Sequence, residues 1–297
     1  MVPKVINRIG KKIRQFRGPA VLEPFQDSRY PLPTLDLPFS QLCTENQFFT
    51  DVFNGWCEEI KEPPRLHRKQ WEFAFILQAL FKNGMLRNGR RGLGFGVGKE
   101  PLPAAMINRG CSLVVSDLDL ENAIDRKWVK SNQYATQLQD LNERDIADSG
   151  LFDRHVSYRN IDMNLIPSDV MQAEFDFVWS ACALDHLGSI KRGINFILNS
   201  LRCLKPGGIA VHTTEYNILS NWDTIDHSGT VLFRRRDIEA VQKQVQELAY
   251  EMSFNPNYGT GKHDLYYDLP PFVPAPHLKL MLGNYIATSV GLLIKKP

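Results

Sequence analysis

Across the middle of the chain, short apolar runs alternate with amphipathic stretches. Residues 112–117 (SLVVSD) and 175–182 (FDFVWSAC) are continuous apolar runs of strand length, as expected for strands covered on both faces. Residues 156–162 (VSYRNID) alternate apolar and polar positions, and 209–214 (IAVHTT) form another strand-like run. Helical patterns fall between and after them, over about 101–109, 121–144, 189–204 and 235–248. Upstream, 66–86 places Trp71, Phe75, Ala79 and Leu80 on one helical face and stops at Asn83-Gly84, a usual C-terminal signal. Residues 45–60 predict another helix, ended by KEPP. Two strand-like runs within 278–296 meet at Gly283-Asn284 and predict an antiparallel hairpin.

Strands alternating with helices predict an α/β fold: a Rossmann-like, seven-stranded, mostly parallel sheet with a C-terminal antiparallel hairpin and an N-terminal helical extension. The extension occupies residues 1–65, comprising a basic helix, a proline-rich connector and a cap helix, and the sheet domain occupies 66–297. In residues 1–17, Val2, Val5, Ile6, Ile9, Ile13 and Phe16 share a helical face, while six side chains there are basic and none acidic. Such a helix suits peripheral contact with an anionic membrane, or packing on its own domain.

Charge narrows the partners. The formal net charge is +2, but without that basic segment the body carries 29 basic against 33 acidic residues. A body of that sign argues against nucleic acid as the main partner. No apolar run approaches the roughly 18 residues of a membrane span, and no secretory pattern opens the chain. The five cysteines are scattered with no CxxC, so neither a disulfide framework nor a zinc motif is expected, and a cytoplasmic setting is.

Ligands in such sheets bind at the carboxyl ends of the strands, so the residues there carry the chemistry. Gly94, Gly96 and Gly98 lie in GLGFGVGKEP, and Asp117 ends the next strand, 19 residues beyond Gly98. An acid there is the expected acceptor for ribose hydroxyls. The glycine spacing rejects a dinucleotide enzyme: GxGxxG would need glycine at 99, which is Lys99. Asp162 and Met163 close the third strand, and Ser180, Ala181, Asp185 and His186 follow the fourth.

The set GFGVG, VVSD, IDMNLIP, FDFVWSACALDHLG and LRCLKPGGIAVHTT resembles the class I S-adenosylmethionine-dependent methyltransferases, over about residues 88–215. The C-terminal hairpin fits that family's last two strands. The resemblance implies that backbone at Gly94, Phe95, Gly96 and Gly98 passes beside the amino-acid part of S-adenosylmethionine. It implies that Asp117 takes the ribose hydroxyls with Leu118 against the adenine, and that Asp162 and Met163 meet the adenine edge. Ser180 and Ala181 would line the floor under the methionine portion. The family usually carries an acid two residues before the first glycine, where this chain has Gly92, so a neighbour such as Glu100, or a residue from the N-terminal segment, is expected to hold the cofactor's amino group.

Methyl transfer to oxygen or nitrogen needs positioning, and a base where the acceptor is a hydroxyl. His186 and Glu215 are the candidate bases, and Arg68 is a candidate contact for an anionic acceptor. His212 reads as a core histidine. A metal held by Asp185, His186 and Glu215 lacks ligand spacing in the sequence, so none is expected. HRKQWEF, GLGFGVGKEP and the closing PHLKL and ATSVGLLIKK resemble methyltransferases of bacterial surface-glycan biosynthesis. That resemblance implies O-methylation of a sugar in a polysaccharide or its precursor. A small metabolite acceptor, or a cofactor-binding module without catalysis, are the alternatives.

Overall fold

The structure is a computed structural model that describes residues 22–118, 137–227 and 229–297. The basic segment 1–17 and most of the helical pattern at 121–144 lie outside the described residues. No helix among those described is long and apolar enough to cross a membrane.

Among the described residues, eight strands form one sheet. In chain order they are β1 (Gln41–Leu42), β2 (Arg91–Phe95), β3 (Ser112–Asp117), β4 (Val156–Asn160), β5 (Phe175–Ala181), β6 (Leu204–Asn217) and, after a separate two-stranded ribbon β7 (Asp226–His227) and β8 (Thr230–Val231), β9 (Leu280–Leu282) and β10 (Tyr285–Lys295). The order across the sheet is β1-β10-β6-β5-β2-β3-β4, with β9 also pairing β10. Pairs among β2 to β6 are parallel, and every pair made by β10 is antiparallel.

The hairpin forms at Gly283, whose φ of 58° suits glycine. Its arms are unequal. β10 runs along β6 from Ala287 to Lys295, but β9 covers only Tyr285–Ala287 on the other edge. Pro270, Pro271, Pro274 and Pro276 precede β9, and proline cannot donate to a ladder. The rest of that edge is met by β1 through Gln41↔Gly291 and Leu42↔Val290, which makes eight strands where seven were expected. The stretch just after the proline-rich connector therefore contributes to the sheet of the domain that follows it.

The helices are α1 (Asp51–Glu59), α2 (Arg68–Lys82), α3 (Leu102–Asn108), α4 (Ser149–His155), α5 (Ile190–Ser200) and α6 (Arg235–Glu247). Thr50 caps α1 by accepting from Phe53 N, which splits the expected 45–60 helix into a 3-10 turn and an α-helix. The helix expected to 204 ends at Ser200, because a 3-10 turn at 201–203 leads directly into β6.

The pleat of β5 divides the core. Phe177, Trp179 and Ala181 face α1, α2 and α3, whereas Val178 faces α5 and α6. Helix α2 lies across β5, β6 and β10, and every residue from Gln70 to Leu80 is buried. Its burial is wider than the predicted stripe and includes Gln70, Glu72 and Gln78. Each of these finds partners: Gln78 Oε1, for example, accepts from Trp56 Nε1 at 2.8 Å.

Candidate active site

Strand β2 carries the glycine turn to its carboxyl end, where Gly96 and Gly98 have φ of 59° and 50°. A Cβ at Gly96 would stand 3.0 Å from Ala183 Cβ and 3.2 Å from Met163 Sδ, so these two residues crowd the turn. The glycines inside β2 have another cause. A Cβ at Gly94 would lie 2.4 Å from Trp179 Cζ2, and one at Gly92 would lie 2.3 Å from Phe177 Cε2. The two β5 rings lie across β2, and no acidic side chain fits at 92 without displacing Phe177.

Asp117 ends β3 beside this turn. It is buried, with Oδ2 accepting from Gly98 N at 3.0 Å and Oδ1 from Leu118 N at 2.8 Å. Burial raises its carboxyl above the usual range against these two bonds. Each oxygen keeps a second lone pair for a further donor. Glu100 is also buried, and its Oε1 accepts from Trp179 Nε1 at 2.7 Å. Desolvation pushes its carboxyl up to about 8. Trp179 thus fills the space over Gly94 and fixes Glu100 just beyond the turn.

The remaining strand-end residues diverge. Asp162 is exposed and accepts from Asn164 N at 2.8 Å, while Met163 is buried against Gly96. Ala181 offers its carbonyl to Lys69 Nζ at 3.2 Å. Ser180 turns to the opposite face of β5, with Oγ 2.9 Å from His212 Nδ1, and Ser200 Oγ lies 3.2 Å from His212 Nε2. Any contact from Ser180 to a ligand over the α2 face is through its backbone. His212 is fully buried, and desolvation pushes it down to about 3, so it is a neutral core residue.

At the ends of β5 and β6 lies a second polar cluster, partly built by α2. His67 caps that helix, its Nδ1 accepting from Lys69 N, and this first turn directs Arg68, Lys69 and Glu72 at the sheet. Arg68 reaches Glu215 Oε1 at 2.5 Å and Glu72 Oε1 at 3.3 Å. Glu72 also accepts from Ser289 Oγ at 2.5 Å and Thr213 Oγ1 at 3.0 Å. Burial alone would raise the Glu72 carboxyl, but Lys69 and Arg68 hold it below its usual range. Glu215 is pushed up to about 7 by burial, against the pull of Arg68. Asp185 is raised by burial too, and its Oδ2 lies 3.3 Å from His186 Nε2. His186 is about a third exposed, so it stands at the rim of this cluster.

Arg68 and Glu215, considered separately in the sequence, are therefore one ion pair. Lys69, Glu72, Trp179 and Cys182 join the site without having been singled out. Glu72 had a readable signal, a lone acid within the apolar run QWEFAF. A recess of about 600 Å³ lined by Glu59, Arg87, Asn88 and Arg109 lies at the opposite, amino ends of the parallel strands.

No family model and no curated protein matches the sequence. Solved structures resemble it distantly. A Burkholderia thailandensis 1,6-didemethyltoxoflavin-N1-methyltransferase is 12% identical, with 77% of this chain and 79% of that one covered and a TM-score of 0.44. An S-adenosylmethionine-dependent methyltransferase from Clostridium acetobutylicum is 12% identical over 77% and 92% of the two chains, with a TM-score of 0.43. A Haemonchus contortus phosphoethanolamine N-methyltransferase 2 is 20% identical over 66% and 41%, with a TM-score of 0.38. Three of the solved structures matched, the last of these and two further methyltransferases, are spanned over only about half of their length or less, 41%, 52% and 54%. At these scores the likeness is one of general sheet architecture, and the functional reading rests on the residues.

Proposed function

We propose that the chain transfers a methyl group from S-adenosylmethionine to an acceptor at the carboxyl ends of β5 and β6. The observation that carries this reading is the grouping of the Gly94–Gly98 turn, Asp117 and Glu100 at one end of adjacent parallel strands. These residues fit the cofactor. The turn is crowded where a side chain at 96 would stand, Asp117 has lone pairs left for ribose hydroxyls, and Glu100 is a buried anion source near the turn for an ammonium group. Once bound, the cofactor supplies an electrophilic methyl group on a sulfonium sulfur.

The chain's own residues position and deprotonate. Asp117 holds the turn closed through Gly98 and orients the ribose. Glu100, fixed by Trp179, replaces the acid that Phe177 excludes from position 92. His186 at the rim and Glu215 beneath it receive the acceptor, and one of them takes the proton of an acceptor hydroxyl. The acceptor we favour is a sugar hydroxyl of a cell-surface polysaccharide or its precursor, on the sequence resemblance of the HRKQWEF and C-terminal segments. The basic segment 1–17 would bring the enzyme to a lipid-linked acceptor, and vesicle pelleting with and without it tests that role.

Calorimetry with S-adenosylhomocysteine, with NAD as the control, tests the cofactor. Binding of NAD in its place sinks the reading. Methyl transfer from isotope-labelled cofactor to a glycan panel, followed by mass spectrometry, tests the acceptor. Cofactor binding with no transfer to any glycan or small metabolite would favour a binding module.

A further inference from the structure

Cys182, Asp185 and Glu215 bring a thiol and two carboxylates together where β5 and β6 end. Each offers a donor atom within 4.8 Å of the other two. Two features distinguish this trio from an ordinary acidic cluster. Asp185 and Glu215 are 3% and 5% exposed, yet Asp185 Oδ1 and Glu215 Oε2 are buried without a hydrogen-bond partner. Their other oxygens are engaged, Asp185 Oδ2 with His186 and Glu215 Oε1 with Arg68. Native interiors rarely leave such oxygens unpaired, and two in one cluster call for a shared partner. Cys182, moreover, has φ of 52°, a left-handed conformation that non-glycine residues adopt mainly where surroundings impose it, often at functional sites.

Charge points to the same partner. Around the trio, the carboxyl groups Glu72, Asp185 and Glu215 outnumber the cations Arg68 and Lys69, and a bound thiolate at Cys182 adds a further negative charge.

We propose that Cys182, Asp185 and Glu215 bind a single divalent transition-metal ion of the zinc type. A thiolate donor selects such an ion over magnesium, which prefers an all-oxygen shell. Zinc lies about 2.3 Å from thiolate sulfur and about 2.0–2.2 Å from carboxylate oxygen, so donors sharing a tetrahedral zinc stand about 3.5 Å apart. The three donors, which lie within 4.8 Å of one another, close by up to roughly 1.3 Å on binding. Binding sends the Cys182 thiol proton to solvent and forms a sulfur–metal bond, which balances the step. Three protein ligands would leave a fourth tetrahedral position open, the pattern of catalytic rather than structural zinc. Arg68 occupies Glu215 Oε1, so Glu215 binds through one oxygen, and the nearby guanidinium keeps the affinity below that of a structural site.

Metal binding is read separately from methyl transfer, with cobalt(II) added to the full chain as the probe; a metal on Glu215 leaves His186 as the acceptor base. One equivalent is expected to give the near-ultraviolet absorption of a thiolate–cobalt bond, which zinc then abolishes by displacement. Cys182→Ser is expected to remove the band. Asp185→Asn and Glu215→Gln should each weaken cobalt at least about 100-fold, the upper end of what loss of an outer-shell partner costs. His155→Asn, at the amino end of β4, should leave it unchanged. A wild-type protein with no band overturns the proposal without reference to any variant. So does a band that survives Cys182→Ser, or wild-type affinity in both carboxylate variants. A cobalt band in a protein that fails to bind S-adenosylhomocysteine would remove the methyltransferase reading alone.

Discussion

The corner at the ends of β2 and β3 and the corner at the ends of β5 and β6 belong to one sheet and are similarly buried, but they treat polar groups differently. At the first, both Asp117 oxygens take backbone N–H groups and Glu100 is tied to Trp179. At the second, Asp185 Oδ1, Glu215 Oε2 and Arg68 Nε are buried without partners, and Cys182 is in a left-handed conformation. The first corner is organised by its own backbone and indole. The second leaves buried donors and acceptors for something that is not protein, which is why acceptor and metal chemistry are both assigned there.

The largest expected effect tests why the acid moved to Glu100. Gly92→Asp should cost at least about 3 kcal/mol of stability, through overpacking on Phe177 and burial of a charge. Denaturant unfolding measures it, and wild-type stability would show that packing does not exclude an acid from 92. Glu72→Ala should also be severe, about 3–5 kcal/mol, because Lys69 loses its buried counter-charge and Arg68 keeps only Glu215. A thermal melt close to wild type would mean that this ion network does not hold α2 to the second corner.

Glu100→Gln sharpens the comparison from the first corner. Loss of a charge-assisted bond worth about 1.5–3 kcal/mol predicts roughly 10- to 150-fold weaker S-adenosylhomocysteine binding. 5′-Methylthioadenosine, which lacks the amino-acid group, should bind the variant as it binds wild type. The pH dependence has a definite sign. Burial places the free Glu100 carboxyl at about 8, so it must lose a proton to meet an ammonium group. S-adenosylhomocysteine should therefore bind wild type more tightly as pH rises toward about 8, and this dependence should vanish in Glu100→Gln. In the ligand-free protein the raised carboxyl costs stability as pH climbs from the ordinary value of 4.5 through about 8, and the variant should escape that loss. Identical melting profiles against pH would remove Glu100 from its assigned place.

The smallest effect separates the two histidines. Ser200→Ala removes one partner of His212 and should cost about 1 kcal/mol in denaturant, with cofactor binding unchanged. A large change in binding would mean that His212 is not merely part of the core.

The strands and helices around the site were legible because their patterns are local. SLVVSD and FDFVWSAC are mostly apolar, and their strands are largely buried. Asp117 was legible for the same reason, as an acid ending an apolar run after a glycine turn. The edge beside β10 was not, because β1 is two residues long and is separated from its partner by most of the chain. Local pattern also could not pair Arg68 with Glu215, since their contact depends on α2 crossing the sheet.

By itself, the sequence determined the order of the main parallel strands and the C-terminal hairpin, the helices near 66–86, 101–109, 189–204 and 235–248, the glycine turn, the acid at the end of β3 and the absence of an acid at 92, but not β1, the β7–β8 ribbon or α4. Periodicity and turn chemistry act over a few residues and survive in any reading of the chain. Only the tertiary structure decided that Phe177 fills the space at Gly92, that Trp179 fixes Glu100, and that Cys182, Asp185 and Glu215 converge with two oxygens unpaired. These are consequences of strand register and helix crossing, which bring residues far apart in sequence within a few ångströms and remove the water that would otherwise satisfy them.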